Sequence, residues 1–309
     1  MQKPKHLDHS QILTSTNMTT TTISSLSLPS SRTISYALTT VSSNPGIPTV
    51  LLSNSLCAPF TSWDHVVPKL TSRGLNVLRY DQPGHGASTA PADLSSTTFH
   101  TLADDVRELL GHLSITRLHG WIGVSMGAAT GMVFAAKYPN VVQKLIVCDT
   151  ISCSPVNTEA ADVFGPRVAM AREAGRMDAI IDATLDRWFG RAWIDTNPDE
   201  TRRMRGLMFG TSIDGFETCC AALSSQTFDL RPLAVETGQG VEEVLFVVGE
   251  KDANLPETMQ ELRQGVEQGL GKKDSQASVD LHVIKNAGHV CYVDGYDEFI
   301  TITTRFLDK

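Results

Sequence analysis

Short apolar runs alternate with amphipathic stretches along most of this chain. The runs are rich in Val, Ile and Leu without strict alternation, which is typical of parallel strands covered on both faces. They lie at residues 48–53, 76–81, 118–124, 144–149, 244–249 and 279–284, and residues 32–40 have the pattern of an antiparallel edge strand. The stretches between them are helical in period, most clearly where one face carries Phe99, Leu102, Val106, Leu109, Leu110 and Leu113. This order predicts an α/β fold with a mostly parallel sheet and right-handed crossovers.

The part from residue 151 to residue 228 interrupts this alternation. It contains no strong strand pattern but has four helical stretches, at 164–176, 177–189, 200–209 and 215–223. We interpret it as a helical cap over the carboxyl edge of the sheet, where ligands bind in open α/β sheets. The predicted organisation is a core of residues 32–150 and 229–309, a cap of residues 151–228, and a Ser/Thr-rich extension of residues 1–31 that is expected to be disordered.

One serine has the surroundings of a catalytic nucleophile. Ser125 is the centre of the pentapeptide from Gly123 to Gly127, which follows an apolar strand and opens an alanine-rich helix. G-x-S-x-G between a strand and a helix indicates a nucleophile elbow, a strained turn that lifts the serine hydroxyl clear of the sheet. Small residues are needed two positions on either side, because a larger side chain would collide with the neighbouring strand or helix.

A serine hydroxyl needs a base to become nucleophilic, and the base needs a carboxylate to orient it. In an elbow fold the chain order is serine, then acid, then histidine. Asp252 follows the strand at 244–249, and His289 follows the strand at 279–284, so both are expected at the carboxyl edge of the sheet.

Other acids and histidines remain open as partners of Ser125. Asp149 ends a strand and would serve as the acid in a variant arrangement, and Glu250 lies close to Asp252 in sequence. The other histidines fit the chain order or the strand ends less well, and they are His85, His100, His112, His119 and His282.

The serine mechanism also requires two backbone N–H groups that bind the developing oxyanion. One belongs to Met126, directly after the nucleophile. The loop after the strand at 48–53 supplies the other, which we assign to Leu56 with Cys57 as the alternative. Cys57 is also conceivable as a competing nucleophile, but no histidine in the right chain order favours it.

The composition narrows the choice of partners. A formal net charge of -8 without a cluster of Lys and Arg argues against nucleic acid. The longest apolar runs are far too short to span a membrane. The six cysteines form no C-x-x-C pair, so reduced thiols in a cytoplasmic protein are expected. The expected partner is therefore a small molecule, with no metal or organic cofactor.

Several segments together resemble a known family. The segments are residues 51–57, 62–64, 79–88, 123–127 and 144–149 of the core and residues 182–189 and 215–222 of the cap. They are similar to the α/β-hydrolase fold and, more closely, to its 3-oxoadipate enol-lactonase branch. The resemblance implies a helical cap inserted after the sixth strand and a Ser125–His289–Asp252 hydrolase that opens a small lactone or ester through an acyl-enzyme.

The same resemblance suggests roles for four further residues. Arg187 and Trp188 would project from the cap into the pocket, where Arg187 would hold a substrate carboxylate bidentately. His85 and Asp81 would stabilise the loop beneath the site. The chain differs from the branch at two positions, because Cys57 stands where a glycine is usual and Ala128 replaces a second glycine of the elbow.

Other functions remain open with the same three side chains. They are a lactone-forming cyclase or an esterase of secondary metabolism, a cofactor-free hydrolase of carbon–carbon bonds, and a non-catalytic receptor that uses the pocket to bind a ligand.

Overall fold

One eight-stranded sheet organises the residues that the computed structural model describes, 19–44 and 46–308. The strands are β1 (Thr20–Ser27), β2 (Thr33–Thr40), β3 (Thr49–Ser53), β4 (Asn76–Tyr80), β5 (Leu118–Val124), β6 (Val142–Cys148), β7 (Glu243–Gly249) and β8 (Asp280–Ile284). Their order across the sheet is β1-β2-β4-β3-β5-β6-β7-β8. Strand β2 runs antiparallel to both β1 and β4, and every other pair is parallel. The predicted mostly parallel sheet is confirmed.

Twelve helices accompany this sheet in the described part of the chain. They are α1 (Val67–Thr71), α2 (Phe99–His112), α3 (Met126–Lys137), α4 (Gly165–Ala174), α5 (Asp178–Phe189), α6 (Arg191–Thr196), α7 (Pro198–Met208), α8 (Ile213–Ser224), α9 (Ala234–Gly240), α10 (Leu255–Gly271), α11 (Cys291–Asp294) and α12 (Tyr296–Leu307). Helix α3 is buried almost throughout, from Met126 to Ala135, as the apolar pattern on all its faces predicts.

The cap consists of helices α4 to α8, inserted between β6 and β7. Four of these helices lie where the sequence pattern predicts helices, whereas α6 was not predicted. Backbone hydrogen bonds tie the cap to the loop after β4: Gly86 donates to Gly210 at 2.9 Å, and Ser212 donates to Gly84 at 2.9 Å. The cap therefore rests on the same loop that carries Asp81 and His85.

The expectation of disorder is wrong for part of the Ser/Thr-rich extension. Residues 20–27 form β1 and pair with β2 over its whole length, from Thr20 opposite Thr40 to Ser27 opposite Thr33. Threonine and isoleucine are β-branched, so this segment suits a strand although its side chains are mostly exposed. Residues 1–18 of the extension lie outside the described residues.

The parallel strands set up the candidate site at one edge of the sheet. Strands β5, β6, β7 and β8 are consecutive neighbours and all point the same way. Their carboxyl ends therefore bring together the residues that follow them, which are Ser125, Asp149, Asp252 and His289.

Candidate active site

Ser125 occupies the turn between β5 and α3 in a strained backbone conformation. Its φ is 55° and its ψ is -118°, a region that residues with a side chain adopt at a cost of about 1–3 kcal/mol. Its amide donates to the carbonyl of Cys148 at 2.8 Å, so the turn is held against the end of the next strand. The half-buried side chain remains reachable from the site. This is the geometry of a nucleophile elbow.

The two glycines of the elbow permit this close packing. A Cβ on Gly123 would lie 2.4 Å from the carbonyl oxygen of Gly127, and a Cβ on Gly127 would lie 2.3 Å from that of Ser53. Real Cβ atoms essentially never come this near a backbone oxygen. Any larger residue at either position would force the serine turn away from β3 or from its own helix.

His289 and Asp252 form the strongest side-chain contact at this edge. Nδ1 of His289 donates to Oδ2 of Asp252 at 2.6 Å, and both side chains are buried. Burial lowers the pKa of His289, while the charge of Asp252 opposes that shift. The imidazole is therefore neutral at neutral pH, as a general base must be, and Asp252 fixes which nitrogen carries the proton.

The competing acids are occupied elsewhere. Oδ1 of Asp149 accepts from the amide of Gly249 at 2.8 Å, and Oε2 of Glu250 accepts from the amide of Asn286 at 2.9 Å. Complete burial raises the pKa of Asp149 well above its usual range, and the nearby charge of Asp252 adds to the rise. Burial therefore disfavours the charged form of Asp149, which is the form that would stabilise an imidazolium.

Within the described chain no hydrogen bond joins the Ser125 hydroxyl to His289. The structure brings the elbow and the His289–Asp252 pair to the same edge of the sheet, with the end of β6 between them, but leaves this one link open. Such catalytic hydrogen bonds are often long before substrate is bound and tighten in the Michaelis complex.

The loop after β3 forms a tight turn in which the amides of Leu56 and Cys57 differ in whether they have an acceptor. The amide of Ala58 donates to the carbonyl of Ser55 at 3.2 Å, and Cys57 has a φ of 68°. The amide of Cys57 donates to Nε2 of His85 at 2.9 Å. Because that N–H is already used, Leu56 remains as the donor for an oxyanion. Neither Leu56 nor Met126 donates its amide hydrogen to an acceptor in the described residues.

His85 is a buried support of this turn. It must carry its proton on Nδ1, which lies 3.0 Å from the carbonyl oxygen of Pro83, since Nε2 accepts from Cys57. Burial lowers the pKa of His85 to about 4, so it stays neutral and keeps Nε2 as an acceptor. The placement agrees with the expectation that His85 stabilises the loop.

Asp81 supports the adjoining part of the same loop. Its Oδ1 accepts from the amide of Phe60 at 2.7 Å, and burial raises the pKa of Asp81 to about 7. The hydrogen bond fixes the start of the short helical turn at Phe60–Trp63 against the loop after β4. Among the described residues, neither carboxylate oxygen of Asp81 forms a hydrogen bond with Ser125 or His289.

Cys57 is not arranged as a competing nucleophile. Burial raises the pKa of its thiol to about 12, so it is not a thiolate at neutral pH. All six cysteines are free and buried.

Trp188 contacts His289 through both its backbone and its ring. Its carbonyl oxygen accepts from the amide of His289 at 3.1 Å, and its ring stacks on the imidazole with centroids 6.0 Å apart. The indole is buried, and its N–H has no partner among the described residues. The cap therefore helps to hold His289 through the residue that was predicted to bind substrate.

Arg187 keeps its access to solvent but lies close enough to the site to act on it. Partial desolvation lowers the pKa of Arg187, and the charge of Arg167 lowers it further. Its own positive charge contributes to the lowered pKa of His289.

Arg167, on α4, is a site residue that the sequence reasoning missed. Its NH2 group donates to the hydroxyl of Thr184 at 2.6 Å, and its guanidinium lies 5.7 Å above the ring of Phe216. Its charge also lowers the pKa of His289 and of Cys57. A helical arginine is usually a solvated surface residue, so the sequence carried no signal for it.

Two other kinds of site were sought in the described residues. No group of three or more His, Cys, Asp or Glu side chains there is arranged to hold a metal ion. None of the described helices combines the length and the apolar character needed to cross a membrane.

The sheet order, the strained serine turn and the cap after β6 define an α/β-hydrolase. The family model described as alpha/beta hydrolase fold matches residues 48–296, and the chain belongs to this family.

Two of the relatives in sequence are enol-lactonases. The chain is 29% identical over 185 residues to 3-oxoadipate enol-lactonase 2 of Acinetobacter baylyi, which covers 60% of this chain and 65% of that protein. A second enol-lactonase of the same organism is 28% identical over 57% of this chain and 63% of its own length. Each alignment spans less than two thirds of the relative.

A solved structure agrees over a longer range. The enol-lactonase of Burkholderia xenovorans superposes with a TM-score of 0.79 and 28% identity, covering 93% of this chain and all of that chain. The chain is thus homologous to enol-lactonases, and its resemblance to them at the sequence level is confirmed.

Proposed function

We propose that this protein is a serine hydrolase that opens a small lactone or ester through an acyl-enzyme, most like a 3-oxoadipate enol-lactonase. One observation carries the proposal: the buried His289–Asp252 hydrogen bond of 2.6 Å lies at the same carboxyl edge of the sheet as the strained Ser125 elbow. A neutral, oriented imidazole next to an elbow serine is what acyl transfer requires.

The first half of the reaction forms the acyl-enzyme. His289 takes the proton of the Ser125 hydroxyl as the oxygen attacks the carbonyl carbon of the substrate. The amides of Leu56 and Met126 bind the resulting oxyanion, and losing one such donor typically costs about 10²–10³ in rate. His289, now an imidazolium stabilised by Asp252, gives its proton to the departing ring or ester oxygen.

The second half releases the acid. His289, neutral again, takes a proton from water, and the hydroxide attacks the acyl-enzyme carbonyl. The same two amides bind the second oxyanion. Collapse of this intermediate expels the Ser125 oxygen, which recovers its proton from His289. Every proton transfer passes through His289 Nε2, because Nδ1 is held by Asp252.

Arg187 gives the proposal its preference for an anionic substrate. The guanidinium acts electrostatically on His289 and Asp252 and makes no ion pair within 4.0 Å in the described chain. A substrate carboxylate would supply the missing negative charge and would orient the reacting carbonyl. The enol-lactonase relatives favour a lactone over an open ester.

The test is a panel of small lactones and aryl esters, including an enol-lactone that bears a carboxylate, assayed with wild type and Ser125→Ala. Serine-dependent turnover that favours the carboxylated lactone is expected. Serine-dependent turnover of simple esters alone would support a serine hydrolase but contradict the assignment of a lactone as its substrate. No serine-dependent turnover of any member would contradict the proposal.

A further inference from the structure

One buried tryptophan joins two parts of the site that come from distant parts of the chain. The turn at residues 55–58, called the oxyanion turn below, follows β3, whereas His289 precedes α11. Trp63 ends the short helical turn that comes after the oxyanion turn, and its indole is fully buried. The indole contacts the chain on both sides, through its N–H and through its ring. The proposed reaction steps assign it no role.

The indole N–H of Trp63 holds the residue that leads into the oxyanion turn. Nε1 donates to Oδ1 of Asn54 at 2.7 Å, and Nδ2 of Asn54 donates to the carbonyl oxygen of Tyr80 at 2.9 Å. Because Asn54 is fully buried, these two hydrogen bonds fix its amide in one orientation. Loss of either partner would leave a buried polar group unsatisfied, which is unfavourable.

The position of Asn54 determines the position of the oxyanion donor. A Cβ on Gly127 would lie 2.8 Å from the carbonyl oxygen of Asn54, so the Asn54 backbone packs against the elbow. Further along the turn, the amide of Cys57 donates to His85. Leu56 therefore lies between two anchored positions, and a displacement of Asn54 would turn the Leu56 amide away from the oxyanion.

The ring of Trp63 connects the same position to the helix that follows His289. It stacks on the ring of Tyr292, with centroids 3.9 Å apart and an interplanar angle of 18°. Tyr292 lies in α11, and its hydroxyl donates to Oγ of Ser62 at 2.9 Å. Both rings are buried. A shift of α11 relative to the oxyanion turn would have to break these contacts, so the spacing between the two loops is fixed.

We infer that Trp63 and Asn54 are positioning residues that aim the Leu56 amide at the oxyanion and keep its loop at a fixed distance from the loop of His289. Trp63 acts through Asn54, and Asn54 acts through the backbone of the turn. The inference rests on the proposed acyl transfer, because the donor matters only if an oxyanion forms. A misdirected donor weakens binding of the transition state and not of the ground state.

The first test is Trp63→Phe, which removes the N–H and keeps an aromatic ring beside Tyr292. With an aryl ester, kcat and kcat/KM are expected to fall equally, by about 10-fold, which is less than loss of an oxyanion donor itself costs. KM stays constant because the same amides bind both oxyanions. An aryl boronic acid, which forms a tetrahedral adduct with a serine, should bind more weakly by a similar factor. A rise in KM with unchanged kcat and boronate affinity would contradict the inference.

The matched control is Trp193→Phe, the same substitution in helix α6 of the cap, where the indole stacks on Phe189. It is expected to leave kcat and boronate affinity unchanged. All values are expressed per active site, titrated with a covalent serine reagent, so that misfolded protein is not counted. An equal loss in Trp193→Phe would show that the effect of Trp63→Phe is not specific to the oxyanion turn.

The second test asks whether Trp63 acts through Asn54. Asn54→Leu removes the acceptor of the indole and should lower kcat and boronate affinity at least as much as Trp63→Phe. Adding Trp63→Phe to Asn54→Leu should change kcat by less than about twofold, whereas independent effects would multiply. Multiplied losses would contradict the coupling. Asn54→Leu alone also tests the inference if Trp63→Phe does not fold.

The outcomes separate this inference from the proposed function. Serine-dependent ester turnover in wild type, with unchanged kcat and boronate affinity in Trp63→Phe and Asn54→Leu, would refute the positioning role and leave the hydrolase intact. No serine-dependent turnover and no boronate binding in wild type would refute the hydrolase and the positioning role together.

Discussion

The core and the cap contribute to the same site in different ways. The core supplies groups whose positions follow from the backbone: the Ser125 turn at the end of β5, Asp252 after β7 and His289 after β8. The cap supplies free charges and packing on the ends of helices, through Arg167, Arg187 and the ring of Trp188. In the proposed reaction, the groups that carry out the chemistry lie at the edge of the sheet, and the groups that would select the substrate lie on the helices above it.

The core and the cap also differ in whether their charged side chains have partners. In the core, Asp252 is matched by a hydrogen bond to His289, and burial raises the pKa of Asp149 and so disfavours its charged form. In the cap, two cations remain without a counter-ion among the described residues. A complete set of partners is typical of a reaction centre that is ready before substrate arrives. An incomplete set indicates where the ligand supplies the missing charge.

The largest expected effect comes from the two core acids. Asp252→Asn keeps the shape but leaves His289 with the wrong tautomer, so kcat should fall about 10⁴-fold. Asp149→Asn keeps an oxygen that accepts from the Gly249 amide and should change kcat by less than about 10-fold. Steady-state kinetics on an aryl ester compares the two variants directly. A comparable loss in both would show that Asp149, and not Asp252 alone, serves His289.

A smaller effect is expected beneath the oxyanion turn. His85→Leu removes the acceptor of the Cys57 amide, which frees the turn that aims the Leu56 amide. We expect kcat to fall about 10- to 100-fold, somewhat less than removal of an oxyanion donor. His85→Gln should recover part of this loss through its amide oxygen.

The measurement for His85 is kcat per active site, titrated with a covalent serine reagent so that misfolded protein is not counted. An unchanged kcat in His85→Leu would mean that the turn does not depend on His85 for its position.

The smallest expected effect links the cap to the core through pH. Because catalysis needs neutral His289, activity is present above its pKa and is lost as the pH falls through it. That pKa lies below the ordinary 6.5, in part because of the positive charge of Arg187. Arg187→Gln should therefore move the acid limb of kcat/KM to higher pH, by less than about one unit.

A neutral aryl ester is the substrate for this pH profile, so that loss of carboxylate binding does not enter. Arg172→Gln, which removes a paired cap arginine, should leave the limb in place. If the acid limb does not move in Arg187→Gln, or moves to lower pH, the charge of Arg187 does not lower the pKa of His289.

Much of the core could be predicted from the sequence because its geometry is local. Short segments of the sequence are enough to recognise the elbow glycines, the strand ends and the chain order of Ser125, Asp252 and His289. The preference for Leu56 over Cys57 could not be predicted in this way, since it depends on a hydrogen bond that the Cys57 amide donates to His85, 28 residues away. The role of Asp149 likewise depends on its burial. A strand pattern does not show whether a residue at the end of a strand is buried or exposed.

The cap and the first strand were less accessible to sequence reasoning. Arg167 has the same residue type and helical setting as Arg172, and only the folded structure distinguishes the unpaired arginine from the paired one. The contact of Trp188 with His289 was not predicted either, since it arises because the helix that carries Trp188 ends against the loop that carries His289. Strand β1 was missed because its serines and threonines have the composition of a disordered segment.

The most direct test of the account is covalent labelling of Ser125. Wild type is treated with a fluorophosphonate, and the modified peptide is identified by mass spectrometry. The account predicts a single adduct on Ser125, absent in Ser125→Ala and formed far more slowly in Asp252→Asn. Ester turnover that persists in Ser125→Ala, or an adduct on another residue that accounts for inhibition, would contradict the assignment of Ser125 as the nucleophile.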